Sequence, residues 1–302
     1  MSAKDTSATR AITTTLLVSV GDVLLSLFTA IFTGSTVALA QTFQSMTDIA
    51  TPALLLFGIK RSRHRANRDH PLGFGRELFF WVLVSSTLTL FSAGFFSILF
   101  GLNQVLNPQE ITLPWLAFGV LAFGLVTNSY SMQVSIGRLR QSKSTTPVWR
   151  RITHSSLIET KTTLLIDLFG TISAFLGLFA LLLFLITGNA VFDGLGSMAI
   201  GIGTGVGALL LINDLREFIV GRSVDQDVVD AIKATIATNK HVYEVINVRV
   251  TIIGSEQQEV VAHVHFKNDL NTDQIERSVA TIKKTIMHEH PTVRRVTIGI
   301  AF

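Results

Sequence analysis

Six apolar runs, near residues 11–32, 36–59, 77–102, 112–136, 157–186 and 190–213, fill the first two-thirds of this sequence. Each approaches the roughly 20 residues a helix needs to cross the hydrocarbon of a bilayer. The connection between runs two and three carries Lys60, Arg61, Arg63, Arg65, Arg68 and Arg76, and that between runs four and five carries Arg138, Arg140, Lys143, Arg150 and Arg151. The opposite connections, 33–35, 103–111 and 187–189, hold no Lys or Arg. Basic loops stay on the cytoplasmic side, so every loop agrees on six spans with both termini cytoplasmic.

Composition supports a membrane protein. Only 15% of the residues are charged, against about 25% in soluble domains. The net charge of +4 does not imply a nucleic-acid partner, because the basic residues lie in short loops between apolar runs. With no cysteine, disulfides and thiolate metal sites are excluded. Lys4 and Arg10 precede the first run, and Ala38-Leu39-Ala40 resembles a signal cleavage site. The run is longer than the roughly 7 to 15 residues of a signal core, so it reads as a retained span. The absence of a targeting segment suggests a plasma membrane, or a bacterial inner membrane.

Residues 214–302 read as a separate cytoplasmic domain. VDQDVVDAIKATIATN has helical apolar spacing, with Asp225 and Asp227 near its start, where the helix dipole favours acid. VINVRVTIIG and EVVAHVHFKN alternate like strands around a turn at Gly254-Ser255. A second helix follows, with Thr272 as a cap and Pro291 as a stop, and VRRVTIGIAF closes as a strand. The expected fold is a six-helix all-α transmembrane domain over 1–213, followed by an αββαβ, ferredoxin-like α+β domain over 214–302.

Ionisable residues inside a span are costly and usually face a protein interior or an aqueous path. This chain has Asp22 in run one, Asp48 in run two, Asp167 in run five and Asp193 at the start of run six. Gln41, Gln44, Asn128 and Thr163 are their uncharged companions. Gln44 and Asp48 are four residues apart and share a helical face, as do Thr163 and Asp167. If the two faces meet, two carboxylates share a dry interior, where they cannot both stay charged without a cation or protons between them. The cluster is then a cation site, a proton-holding pair, or both in turn. Gln and Thr also serve as hydrogen-bonding glue between membrane helices, and Gln41, Gln44 and Thr163 fit that role as well. Asp22 fits a ligand, a proton relay or a helix–helix hydrogen bond, and Asp193 fits a helix cap.

The loop DHPLGFGRELFFW, Asp69 to Trp81, the short first loop Thr33 to Ser35 and DGLGSMAIGI opening run six resemble the cation diffusion facilitator family. The resemblance covers nearly the whole chain. It implies a homodimeric exporter that exchanges divalent metal ions, most often zinc, for protons by alternating access, with the metal as cargo and no resident cofactor. It also implies a regulatory or dimerising C-terminal domain. The family's transport site joins Gln44 and Asp48 to Thr163 and Asp167. The two Asp match, but the partners are usually stronger ligands. Relatives with this loop often have acids at Gln41, Asn128 and Ile166, all uncharged here. An all-oxygen site suits Mg²⁺, Mn²⁺ or another hard ion better than zinc. A non-transporting paralogue that regulates a partner transporter also fits so depleted a site. No nucleophile–base pair supports an enzyme.

The same resemblance offers two further candidate metal sites, each against a structural alternative, which for the histidines is ordinary exposure on a strand face and helix end. Asp69 and His70 lie where some relatives bind a second ion, although Phe74 replaces a usual His; a structural turn through Pro71, Gly73 and Gly75 is the alternative. His263 and His265 share one face of a strand, and with His241, His288 and His290 they could form a regulatory site. The glycines of GIGTGVG, Gly201 to Gly207, lie in an apolar helix and fit close helix packing rather than a nucleotide loop.

Overall fold

The computed structural model describes residues 19–71, 73–141, 158–254 and 257–301. The start of the first run, the loop with Lys143, Arg150 and Arg151, and Ser255 lie outside these residues. The chain forms two compact units. One runs to Phe57 and then takes Trp81 to the end of its fourth helix and the following stretch to Asp214. The other combines Gly58–Phe80 with the chain from Leu215 onward. The basic loop after run two thus belongs with the C-terminal residues.

The helices follow the apolar runs: α1 (Ser19–Thr33), α2 (Thr36–Ser62), α3 (Glu77–Leu106), α4 (Pro114–Gln141), α5 (Ile158–Thr187) and α6 (Val191–Val220). Among the described residues, three stretches, α3, α6 and Asp167–Thr187 of α5, are long and apolar enough to cross a membrane by length and composition. By contrast, α2 and α4 have 27 and 28 residues, about 40 Å of helix, but are more polar. In α2 the reason is visible: it carries Gln41, Gln44 and Asp48 and ends in Lys60 and Arg61.

Glycine sets the distance between α3 and α6. A Cβ on Gly101 would lie 2.6 Å from the Gly194 carbonyl oxygen, and one on Gly201 would lie 2.7 Å from that of Gly94. The Ser197 hydroxyl donates to the Ser97 carbonyl at 2.8 Å between these two crossings. The glycines of run six therefore do what the sequence suggested, letting two backbones touch. On α3 the contact falls where the helix widens into a π-turn over Leu90–Phe96. A second contact layer joins α2, α4, α5 and α6 through Val37, Ala38, Leu121, Leu181 and Ile200, all fully buried.

The second unit folds around a three-stranded sheet in the order β1 (Val242–Gly254), β2 (Gln257–Phe266), β3 (Val293–Ile300). The pair β1–β2 is antiparallel and β2–β3 is parallel. Its helices, α7 (Gln226–Ala237) and α8 (Thr272–Glu289), turn Val229, Ile232 and Ile236, and Ile282 and Ile286, onto Val250, Val260, Val264 and Val296. The αββαβ order is as the sequence indicated. The cap of α8 is not Thr272 but Asn271, whose side chain accepts from the Gln274 N–H while Gln274 returns a bond to the Asn271 N–H. This reciprocal pair satisfies two helix-end donors at once, which Thr272, already inside the helix, could not do.

Candidate cation site

The helix that carries most of the candidate residues is fixed at its N-terminus by another helix. Asp193 is fully buried. Its carboxylate accepts from the Ser35 hydroxyl at 2.5 Å, the Thr36 N–H at 2.6 Å, the Thr36 hydroxyl at 2.7 Å and the Val37 N–H at 3.3 Å. Those N–H groups are the unsatisfied first donors of α2. The sequence suggested that Asp193 capped its own helix; it caps α2 instead. Asn189 supplies the local contact on α6, its side-chain oxygen accepting the Val191 N–H at 3.0 Å.

Two to three turns further along α2 lies a chain of polar side chains. The Gln44 amide donates to Asp48 Oδ1 at 3.1 Å, so the expected stacking holds. Gln44 Oε1 accepts from the Thr204 hydroxyl of α6 at 3.1 Å, and Thr204 in turn meets the Ser173 hydroxyl of α5 at 3.1 Å. The carboxylates of both Asp167 and Asp22 are near enough to repel that of Asp48. Helices α1, α2 and α5 thus bring their acids into one neighbourhood. Among the described residues, however, no three His, Cys, Asp or Glu side chains close into a metal-holding group. Thr163 lies on α5, and its side chain is outside those described.

The rotation of α1 is settled by one contact. Ser45 donates to Asp22 Oδ2 at 2.5 Å, which turns Asp22 toward α2 one helical turn before Asp48. The Gln41 amide donates to the same Ser45 hydroxyl at 3.4 Å. Three buried polar atoms around this group have no hydrogen-bond partner among the described residues: Asp22 Oδ1, Gln41 Oε1 and Asn128 Nδ2. Glycines admit the two amides. A Cβ on Gly124 would stand 3.0 Å from the Gln41 amide nitrogen, and one on Gly170, three residues past Asp167, 3.3 Å from that of Asn128. Such atoms are costly unless a ligand or water completes them.

Ser45, Thr204 and Ser173 were not singled out from sequence, because hydroxyl residues are ordinary in membrane helices and helix rotation is unreadable there. Pro52 could have been. It lies inside α2, four residues after Asp48, and brings no N–H, so the Asp48 carbonyl has no intrahelical donor. Beside Gln44 is a cavity of about 30 Å³ whose lining includes Thr51, Ser85, Ser86, Thr89 and Thr204. It has room for one or two water-sized species.

The other expected sites are less developed. In the loop after α2, His70 stacks on Phe74 with ring centroids 4.4 Å apart, and the Gly73 N–H donates to the His70 carbonyl at 2.9 Å. Gly73 has a positive φ of 80°, and the segment has the geometry of a turn. Asp69 and His70 have no third metal ligand among the described residues. On β2, His263 packs on Gly299 and His265 on Tyr243, at 5.3 Å between ring centroids. His241 meets the Ser278 hydroxyl at 2.6 Å. Different neighbours thus engage these histidines.

Comparison with known proteins bears on this arrangement. Residues 12–217 match the family described as the cation efflux transmembrane domain. The mouse protein named proton-coupled zinc antiporter SLC30A9, mitochondrial, is 28% identical over 240 residues, covering 78% of this chain and 42% of the relative. The protein of the same name from Xenopus laevis is 26% identical over 239 residues, covering 78% and 43%. Metal tolerance protein C4 of Arabidopsis thaliana is 23% identical over 245 residues, covering 78% and 52%. The chain spans about half the length of these curated relatives.

Proposed function

This chain belongs to the cation efflux, or cation diffusion facilitator, family, and we propose that it carries a divalent metal ion out of the cytoplasm in exchange for protons. The family is one of membrane transporters rather than enzymes. The observation that carries the proposal is that Asp48, held by Gln44, feels the charges of Asp22 and Asp167 from two other helices, with Ser45 joining Asp22 to α2. Half-buried carboxylates that repel one another are relieved by a cation or by protons, and alternation between those states is antiport.

In this reading all six helices span the membrane, the metal is cargo, no cofactor is resident and the protein works as a homodimer. Asp48 and Asp167 are the principal ligands, with Gln44 and Thr163 as oxygen donors beside them. Asp22 is the third acid, within reach of protons expelled from the pair, and Gln41 and Asn128 line the same interior. The donor set contains only side-chain oxygens and amides, which favours Mn²⁺ or Mg²⁺ over the zinc that the animal relatives' name specifies. Those relatives are named mitochondrial, and a bacterial membrane has no support from them.

A metal screen in proteoliposomes, with a pH-sensitive dye inside, tests the proposal. The expected result is metal entry coupled to an opposite proton flux, with Mn²⁺ at least as fast as Zn²⁺. Metal flux without proton movement would remove antiport, and no flux for any divalent ion would remove transport.

A further inference from the structure

The second unit contains a cleft of about 1030 Å³, lined by Ile59, Ser62, Arg63, His64 and Arg65 from the end of α2 and the loop beyond it, Gly73 to Gly75, Gln257, and Pro291, Thr292 and Arg294 around the start of β3. Among the described residues, no acidic one lines it. Arg63, Arg65 and Arg294 are exposed, and none forms a salt bridge among the described residues. Nearby arginines are paired: Arg61 with Glu77 at 2.9 Å and Arg295 with Glu259 at 3.3 Å. Three guanidiniums facing one cavity repel one another unless an anion joins them.

Orientation of the spans explains only part of this cluster. Basic residues in the loop after α2 follow from the positive-inside rule. Arg294 does not, since it opens a strand of the C-terminal domain and lies in no loop between spans. The walls are also fixed. A Cβ on Gly75 would lie 2.5 Å from the Ile253 carbonyl oxygen, and one on Gly254 would lie 3.0 Å from that of Gly75. The loop is therefore docked backbone to backbone on the end of β1. His64 and His70 both pack on Phe74, with ring centroids at 6.0 and 4.4 Å.

We propose that this cleft binds a phosphate ester, with the phosphoryl group held by Arg63, Arg65 and Arg294 and the organic part against Ile59, Phe74 and Pro291. Guanidinium forks match phosphate oxygens geometrically, and the volume is at the upper end of small-molecule sites. Ile59 and Ser62 end α2 itself, so a phospholipid headgroup could supply the phosphate, as could a soluble nucleotide. The site stands independently of the ion path.

Binding is measured by thermal stabilisation of the purified full chain in neutral detergent. The probes are phosphatidylglycerol, with phosphatidylcholine as the neutral control, and ATP. The variants are Arg294→Gln, the double Arg63→Gln/Arg65→Gln, and Lys233→Gln as an exposed basic control on α7. The expected result is saturable stabilisation by phosphatidylglycerol or by ATP, weakened about tenfold or more in apparent affinity by Arg294→Gln and unchanged by Lys233→Gln. Stabilisation by the lipid alone identifies a headgroup site, and stabilisation by ATP alone identifies a soluble ligand. No saturable response to either probe, or equal responses in wild type and the arginine variants, overturns the proposal.

Discussion

Two neighbouring stretches of one polar helix are treated in opposite ways. At the start of α2, Asp193 is fully buried and all four of its neighbouring donors are satisfied. Further along, around Asp22, Gln41 and Asn128, buried polar atoms are left without partners among the described residues. The same helix thus carries a closed polar network and an open one. A closed network fixes geometry, because any change leaves groups unsatisfied. An open one leaves the Asp22 and Gln41 oxygens as unmet acceptors, which is what a passing cation and its protons require.

That contrast can be broken most severely at the open network. Asp48→Ala or Asp167→Ala is expected to reduce metal flux in proteoliposomes by about a hundredfold or more, equivalent to roughly 3 kcal/mol, while the protein still folds. Unchanged flux in both variants would remove these residues from the path. Asp193→Ala should do the reverse: stability in detergent should fall by about 3 kcal/mol, since up to four donors lose a charged acceptor. Its flux per folded molecule should stay within a few-fold of wild type. A wild-type melting temperature would show that the cap is not the anchor of α2.

Smaller changes sharpen the boundary between the two networks. Thr204→Val removes the donor to Gln44 Oε1, and about 1 kcal/mol of net hydrogen bonding goes with it. Gln44 is then free to turn toward the cation, so the apparent metal affinity should shift several-fold in either direction with little change in melting temperature. Asn271→Ala, in the other unit, should cost about 1 kcal/mol of stability through the lost cap of α8 and leave metal affinity untouched. A change in affinity there would mean that the C-terminal unit reports on the path.

Much of this was legible in the sequence. The second to fifth apolar runs match their helices to within about five residues, and the start of the first lies outside the described residues. The last helix runs on to Val220, because Asp214, Arg216 and Glu217 end the apolar run but not the helix. The αββαβ order was readable from alternation and helical spacing in a short amphipathic domain. Gln44 and Asp48 were paired correctly, since a spacing of four residues acts within one helix. Contacts between helices were not readable. Asp22 could not be assigned a direction, and Asp193 was given to the wrong helix, because both questions depend on rotation and packing. Asn271 was passed over for its neighbour Thr272, although Gln274 three residues later marked the capping pair. Pro52 was visible throughout, but the significance of its missing N–H depended on recognising Asp48 as four residues before it.

The central claim is that protons and metal share the carboxylates around Asp48. It is tested most directly by titrating Mn²⁺ or Zn²⁺ into the purified protein in weakly buffered detergent and counting the protons released per ion bound. The account predicts proton release in the wild type, diminished in Asp48→Asn and in Asp167→Asn along with metal binding. Saturable metal binding with no proton release, or identical release in the wild type and both variants, would contradict it.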